Sequence, residues 1–239
     1  MKICIVTGIT GTLGECAFKR LKTENYFVFA LSRRPFNLAN ENIICDFENF
    51  DSEKVKKELV SILEKIKNQG IIESIDFIHL AGFYQKEIKG DLLLNESLCK
   101  KIFEINTFSF FSLVNILVEL CEKYNAKSSV VAVSTNLTSK KNRFTASYIS
   151  SKMALEGMVQ SFAQTYGYLN MRFNTVCPGM FASNMNNHLV PDEFQQNTPL
   201  KRLGQVEDIV DAIMFFVSEK SNCVTANKII VDGGGFNGY

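Results

Sequence analysis

The chain has 239 residues, 46% hydrophobic and 21% charged, a balance that excludes a disordered chain and supplies enough apolar surface for a full core. Twenty-six Lys and Arg against twenty-five Asp and Glu leave a formal charge of +1, so no global field points to nucleic acid or to an anionic membrane surface. Seven cysteines with no C-x-x-C spacing and only two histidines argue against a disulfide framework or a structural metal site and imply a reducing compartment. The most apolar stretch, 108–118, contains Ser109, Ser112 and Asn115 and is too short to span a bilayer. The start of the chain lacks the apolar region and cleavage site of a signal peptide. We therefore expect a cytoplasmic protein with no metal, no membrane and no nucleic-acid partner.

In chain order, residues 3–7 form a β-branched run ending at a glycine cluster, and 15–21 have helical spacing. Residues 26–31 and 43–45 are two further apolar runs. Residues 51–68 read as an amphipathic helix with Val55, Leu59, Ile62, Leu63 and Ile66 on one face. Strands are expected at 76–80, 129–133, 171–176 and 228–231, and helices at 98–124, 148–166 and 206–217. This alternation predicts an α/β fold, a doubly wound parallel sheet of seven strands with helices on both faces. No Pro/Gly/Ser-rich linker divides it, so residues 1–239 are expected to form one domain of the Rossmann type.

The first strand runs into TGITGTLG, residues 7–14. Glycines there let the backbone turn tightly and approach a pyrophosphate, and the following helix aims free N–H groups at it. Gly8, Thr10, Gly11, Thr12, Leu13 and Gly14 are the candidate cradle, although a tight strand-to-helix turn alone also wants glycine. After the second strand, no acid stands ready for the ribose hydroxyls until Glu41. Ser32, Arg33 and Arg34 suit a 2′-phosphate instead, which favours NADP(H) while leaving NAD(H) possible.

Tyr148-Ile149-Ser150-Ser151-Lys152 places Tyr148 and Lys152 about one helical turn apart on one face. With the glycine turn, this resembles the short-chain dehydrogenase/reductase family, in the compact branch similar to 3-oxoacyl-carrier-protein reductase-like oxidoreductases. The resemblance covers nearly the whole chain. Asp46-Phe47 resembles the family's adenine-contacting pair, and Leu80-Ala81-Gly82 the end of its Asn-Asn-Ala-Gly motif. Asn106 sits where the family keeps a helix asparagine. Pro178-Gly179-Met180 with Ser183 and Met185 resembles its Pro-Gly-x-x-x-Thr-x-Met segment. Residues 199–204 with Glu207-Asp208, and 231–234, match two C-terminal segments.

The resemblance implies an NAD(P)(H)-dependent interconversion of a carbonyl and a secondary alcohol, with Tyr148 as acid/base. Free tyrosine titrates near pH 10, too high for efficient proton transfer at neutral pH. An ammonium at about 4 Å contributes on the order of 4 kcal/mol at an effective dielectric near 20, enough to bring the phenol well down. Lys152 is thus expected to lower the Tyr148 pKa and, by resemblance, to hold the nicotinamide ribose. Asn106 is expected, again by resemblance, to anchor a water that links the lysine to solvent.

The sequence also departs from the pattern. The family's substrate-polarising serine falls at Thr135, with Ser134 one residue earlier. Neighbours on a strand face opposite ways, so one of the two serves; we favour Thr135. The glycine spacing is that of the family's extended branch, but the length leaves no room for that branch's substrate domain. His79 and Leu80 replace two asparagines, and His79 is expected to be a buried strand histidine. Asn184, Asn186, Asn187, His188, Gln195 and Gln196, facing Phe83, Tyr84 and Gln85, suggest a small polar carbonyl substrate, with a biosynthetic reductase in view. Two alternatives stay open: an idle nucleotide-binding regulator or scaffold on the same fold, and a sugar-type epimerase or dehydratase. The apolar residues Phe103, Phe108, Phe110, Phe111, Leu113 and Leu117 imply, with the resemblance, a homodimer or homotetramer formed through the two long helices.

Overall fold

The structure, a computed structural model, describes residues 1–86, 95–140, 145–181 and 198–235. Among the described residues, seven strands form one sheet: β1 (Lys2–Thr7), β2 (Phe27–Ser32), β3 (Glu41–Ile44), β4 (Ser74–His79), β5 (Ser128–Val133), β6 (Met171–Pro178) and β7 (Lys228–Val231). Their order is β3-β2-β1-β4-β5-β6-β7, and every pairing is parallel. The helices are α1 (Thr12–Thr23), α2 (Ser52–Ile66), α3 (Glu96–Phe103), α4 (Ser109–Tyr124), α5 (Ala146–Tyr166) and α6 (Val206–Val217). A π-helical turn, Glu104–Phe108, joins α3 to α4 without a break.

A parallel sheet needs cover on both faces, and β1 shows how the sequence meets this. Ile3 and Ile5 point into a core shared with Val55, Leu59 and Leu63 of α2, Phe110 and Leu113 of α4, and Leu155 of α5. Cys4 and Val6 point the other way, into a core with Ala17, Phe18 and Leu21 of α1 and Ile209, Val210 and Ile213 of α6. Each large side chain buried this way contributes about 1.5–3 kcal/mol. Asp51 caps α2, its carboxylate accepting from the Lys54 N–H at 2.9 Å.

The helical stretch Glu96–Tyr124 runs 29 residues and is apolar enough to match a membrane span. The short stretch 108–118 understates this length. Phe110, Leu113, Val114, Ile116 and Leu117 of that stretch pack into the core, as the central helix of a globular fold does. Of the six apolar residues expected to mark an association face, Phe110, Leu113 and Leu117 are therefore turned inward. Phe108 and Phe111 remain exposed, together with Met153 of α5.

Candidate active site

In this topology the chain reverses direction across the sheet between β1 and β4, the point where doubly wound sheets form a crevice at the carboxyl ends of the strands. The turn from β1 to α1 sits there. Gly8 has φ +66, and a Cβ on it would lie 2.8 Å from the Ala81 nitrogen. A Cβ on Gly14 would lie 2.4 Å from the Ile9 Cα, so α1 packs too closely on the turn for any other residue. Gly11 caps α1 with no side-chain hydrogen bond, and Thr10 and Gly11 are exposed while Thr12 and Leu13 are half-buried. The leading N–H groups of α1 therefore face outward over a backbone cradle stripped of side chains, which fits a bound pyrophosphate.

Thr7 joins β1 to β4 at this point. Its Oγ1 accepts from the N–H of Leu80 at 3.2 Å and of Ala81 at 3.1 Å. Its own proton then goes to His79 Nδ1, 3.0 Å away. His79 is fully buried and neutral, with its proton on Nε2. Burial, with Lys152 nearby, pulls its pKa down to about 3. Nε2 makes no hydrogen bond of ordinary length, and the acceptor acting on it is the Asn106 backbone. Thr7 thus supplies the inter-strand tie for which Leu80 has no polar group, and Leu80 itself packs against the apolar core.

Among the described residues, those expected to meet the nucleotide differ in exposure. Ser32 is buried and donates to the Arg34 carbonyl at 2.5 Å, so its hydroxyl proton is spent within the turn. Arg33 and Arg34 are exposed. Asp46 is exposed and accepts from the Glu48 N–H at 3.2 Å. The Phe47 ring is buried and stacks on Phe50 with centroids 5.7 Å apart, so it packs with the core. Ala81 is buried and Gly82 exposed beside it. A Cβ on Gly82 would come within 3.4 Å of Lys152 Nζ. Pro178 ends β6 and Gly179 and Met180 follow it, with the Gly179 N–H donating to the Val231 carbonyl at 2.9 Å. Ser183, like the polar residues from Asn184 to Gln196, lies outside the described residues.

Helix α5 brings Tyr148 and Lys152 to the same crevice. Asn106, in the π-helical turn, is fully buried. Its Oδ1 accepts from the Phe83 N–H at 2.7 Å, and its Nδ2 donates to the Phe83 carbonyl at 3.1 Å and to Ser151 Oγ at 3.0 Å. The side-chain amide is thus committed to locking the loop after β4 onto α5. Lys152 Nζ donates to the Val133 carbonyl at 2.9 Å. Burial pulls its pKa down to about 8. Tyr148 is pushed up to about 12 by burial and by Tyr84, whose ring meets it edge-on at 5.0 Å; the Thr135 hydroxyl acts in the opposite direction. The expectation that Lys152 lowers the tyrosine is not met in this arrangement. The ammonium turns to a carbonyl of β5 and burial dominates, so the phenol keeps its proton.

Ser134 and Thr135 separate as strand alternation requires. Ser134 Oγ donates to Glu156 at 2.6 Å, away from the tyrosine. Thr135 faces Tyr148 and accepts from the Leu137 N–H at 3.3 Å. Glu156 was not singled out in the sequence, although it lies four residues beyond Lys152 on the same helical face. Among the described residues, no cluster of His, Cys, Asp and Glu is arranged to hold a metal ion.

Comparison with known proteins agrees with this fold. A family profile described as Enoyl-(Acyl carrier protein) reductase matches residues 52–235. The 7alpha-hydroxysteroid dehydrogenase of Escherichia coli (strain K12) is 31% identical over 140 residues, 57% of this chain and 54% of that enzyme, so the match spans about half of that relative's length. The 3-oxoacyl-[acyl-carrier-protein] reductase FabG of Buchnera aphidicola subsp. Acyrthosiphon pisum is 24% identical over 246 residues, 96% of this chain and 95% of that one. The solved structure of 4-hydroxyisoleucine dehydrogenase complexed with NADH shares the fold, with a TM-score of 0.83 and 24% identity over 100% of both chains. The profile covers well over half of the chain, and the protein belongs to the short-chain dehydrogenase/reductase family.

Proposed function

We propose that the protein is an NAD(P)(H)-dependent oxidoreductase that interconverts a carbonyl and a secondary alcohol, working as an NADPH-dependent reductase on a small polar substrate. The observation that carries this reading is the meeting of Tyr148, Lys152, Thr135 and Asn106 beside the glycine cradle at one edge of the sheet. Gly8, Gly11 and Gly14 with the start of α1 would hold the pyrophosphate, and Lys152 the nicotinamide ribose. The bound nicotinamide supplies a hydride.

The chain's own groups manage the proton. Thr135 donates to the carbonyl oxygen and so favours negative charge there. Tyr148, whose pKa of about 12 keeps it protonated, is loaded as an acid and gives its proton to the nascent alkoxide. The Lys152 ammonium, with N–H donors beyond the one used by Val133, stabilises the phenolate left behind. Arg33 and Arg34, exposed at the end of β2 with no acid beside them, support the 2′-phosphorylated cofactor. Tyr84, 53% exposed beside Tyr148, forms a wall for the substrate. Relatives named as a 7alpha-hydroxysteroid dehydrogenase and a 3-oxoacyl-[acyl-carrier-protein] reductase support the carbonyl–alcohol chemistry across very different substrates. Seven free cysteines suit a cytoplasmic setting. Phe108, Phe111 and Met153 support self-association through α4 and α5.

Tyr148→Phe tests the reading. It keeps the ring and removes the transferable proton, so turnover on a panel of small carbonyl compounds should fall by about 10²–10⁴. Fluorescence titration should show NADPH bound as in the native protein and more tightly than NADH. Native turnover by Tyr148→Phe would overturn the assignment. Cofactor binding by the native protein with no reaction across the panel would favour a regulator.

A further inference from the structure

Tyr148, Lys152 and Glu156 follow one another at four-residue spacing on α5, one face of the helix. The first two are absorbed by the proposed chemistry and the third is not. Its side chain is 13% exposed. Oε1 accepts from Ser134 Oγ at 2.6 Å, Thr138 Oγ1 at 2.8 Å and Cys177 Sγ at 3.5 Å. Oε2 pairs with Lys228 Nζ at 3.0 Å. One carboxylate thus gathers donors from the end of β5, the turn after it, β6 and β7.

Burying a carboxylate is costly, and well-packed apolar groups often hold strands together as well or better. Two consequences of this placement bear on the reacting groups instead. Because Ser134 is held by Glu156, strand alternation turns Thr135 to the other side, toward Tyr148. The carboxylate is also the negative charge next along the helix from the Lys152 ammonium.

We propose that Glu156 is a positioning residue of the carbonyl reduction: it aims Thr135 at Tyr148 by holding Ser134 and Thr138, and it supplies the counter-charge for the buried Lys152 ammonium. The proposal rests on the oxidoreductase reading given above. Among the described residues, the titratable groups facing Lys152 are few. His79 of β4 is neutral, and Tyr148 keeps its proton. Cys177 of β6 acts on Lys152 only as a thiolate, and burial pushes that thiol up to about 12, so it is uncharged where Lys152 titrates. Glu156 is the charge that remains, opposed from β7 by Lys228.

Opposite substitutions should therefore move Lys152 in opposite directions. NADPH binding is measured by fluorescence from pH 6 to 10 on the native protein, Glu156→Gln, Lys228→Met and Lys152→Ala. The native affinity should weaken as pH rises through about 8, where Lys152 loses its proton. In Glu156→Gln the transition should move down by about one pH unit, with affinity at pH 8 weaker by roughly fivefold. In Lys228→Met it should move up. At pH 6.5, Glu156→Gln should also lower kcat about tenfold with the NADPH KM near native, which reads the aim of Thr135.

A structural role alone would not produce shifts of opposite sign. Lys228→Met, at a partly exposed position, carries the test if Glu156→Gln does not fold. An unmoved transition in the folded variants, or movement of both in the same direction, overturns the proposal. If Lys152→Ala abolishes the transition while Glu156→Gln leaves it in place, only this inference falls. If Lys152→Ala binds and titrates as the native protein does, the reading of the site falls and takes this inference with it.

Discussion

At the edge of the sheet where strands begin, three turns reverse the chain through asparagine in the left-handed region: Asn25 ahead of β2, Asn125 ahead of β5 and Asn170 ahead of β6, with φ of 59°, 51° and 57°. At the opposite edge, Gly8 and Gly179 follow β1 and β6. A Cβ on Gly179 would lie 2.4 Å from the Asp232 Cβ, whereas one on Gly70, at the first edge, would meet nothing within 4 Å. Reversal alone tolerates a side chain that can reach the left-handed region. The second edge needs backbones that close on one another and leave room for a ligand.

Each edge also buries a carboxylate. Asp76 accepts from the Ser129 N–H at 2.7 Å and from Ser74 Oγ at 2.9 Å, with Tyr26 as a third donor. Its partners bind strands to one another. Glu156 instead gathers Ser134 and Thr138, beside hydroxyls that face the crevice. The same chemistry serves cohesion at one end and alignment at the other.

The sharpest way to break this contrast is through pH. Burial raises the Asp76 pKa to about 6, against about 4 in an unfolded chain. A carboxyl raised in the fold contributes stability that is fully present below about pH 4 and lost as pH rises through 6, about 3 kcal/mol in all. Asp76→Asn should remove that loss. In urea unfolding at pH 4 and 7, the variant should gain about 2 kcal/mol on the native protein between the two, with NADPH affinity unchanged. Equal pH dependence would show that the cluster is not the cohesive element described. At the other edge, Thr135→Val should lower kcat about 10–100-fold with little change in melting temperature. Unchanged turnover would shift the carbonyl contact to another donor. Lys127 and Glu219 form an exposed pair on the first edge. Lys127→Ala should change neither melting temperature nor turnover beyond measurement error, as exposed ion pairs rarely do.

The elements whose periodicity is unbroken were legible in the sequence: α6 over Val206–Val217 and β7 over Lys228–Val231 have the expected bounds. Helix α1 begins at Thr12 rather than 15, because a glycine cap carries no side-chain signal. The π-helical turn at Asn106 was hidden, since one extra residue scarcely disturbs an apolar pattern as dense as that of α4. In the site, spacing placed Tyr148 and Lys152 on one face but could not say where a flexible amine would point. It turns to Val133. Glu156 was missed because a glutamate on a helix reads as solvated until β7 brings Lys228 against it.

The π-helical turn makes the 29-residue run Glu96–Tyr124 a screw with one residue of slip. Below the slip, Ile102 faces the interior; above it, Phe110, Leu113 and Leu117 do. Between them the extra residue sets Asn106 against Phe83 and Ser151. Excising a single residue there would restore regular winding with the two halves close to their present facing, and would withdraw the bulge that carries Asn106 out to Phe83 and Ser151. The asparagine would then lose its seat while the apolar stripe kept its own. Along this helix the inherited quantity is therefore the count of residues more than their kind: apolar exchanges within α4 are absorbed by repacking, whereas a deletion of one codon between Glu104 and Phe108 is not.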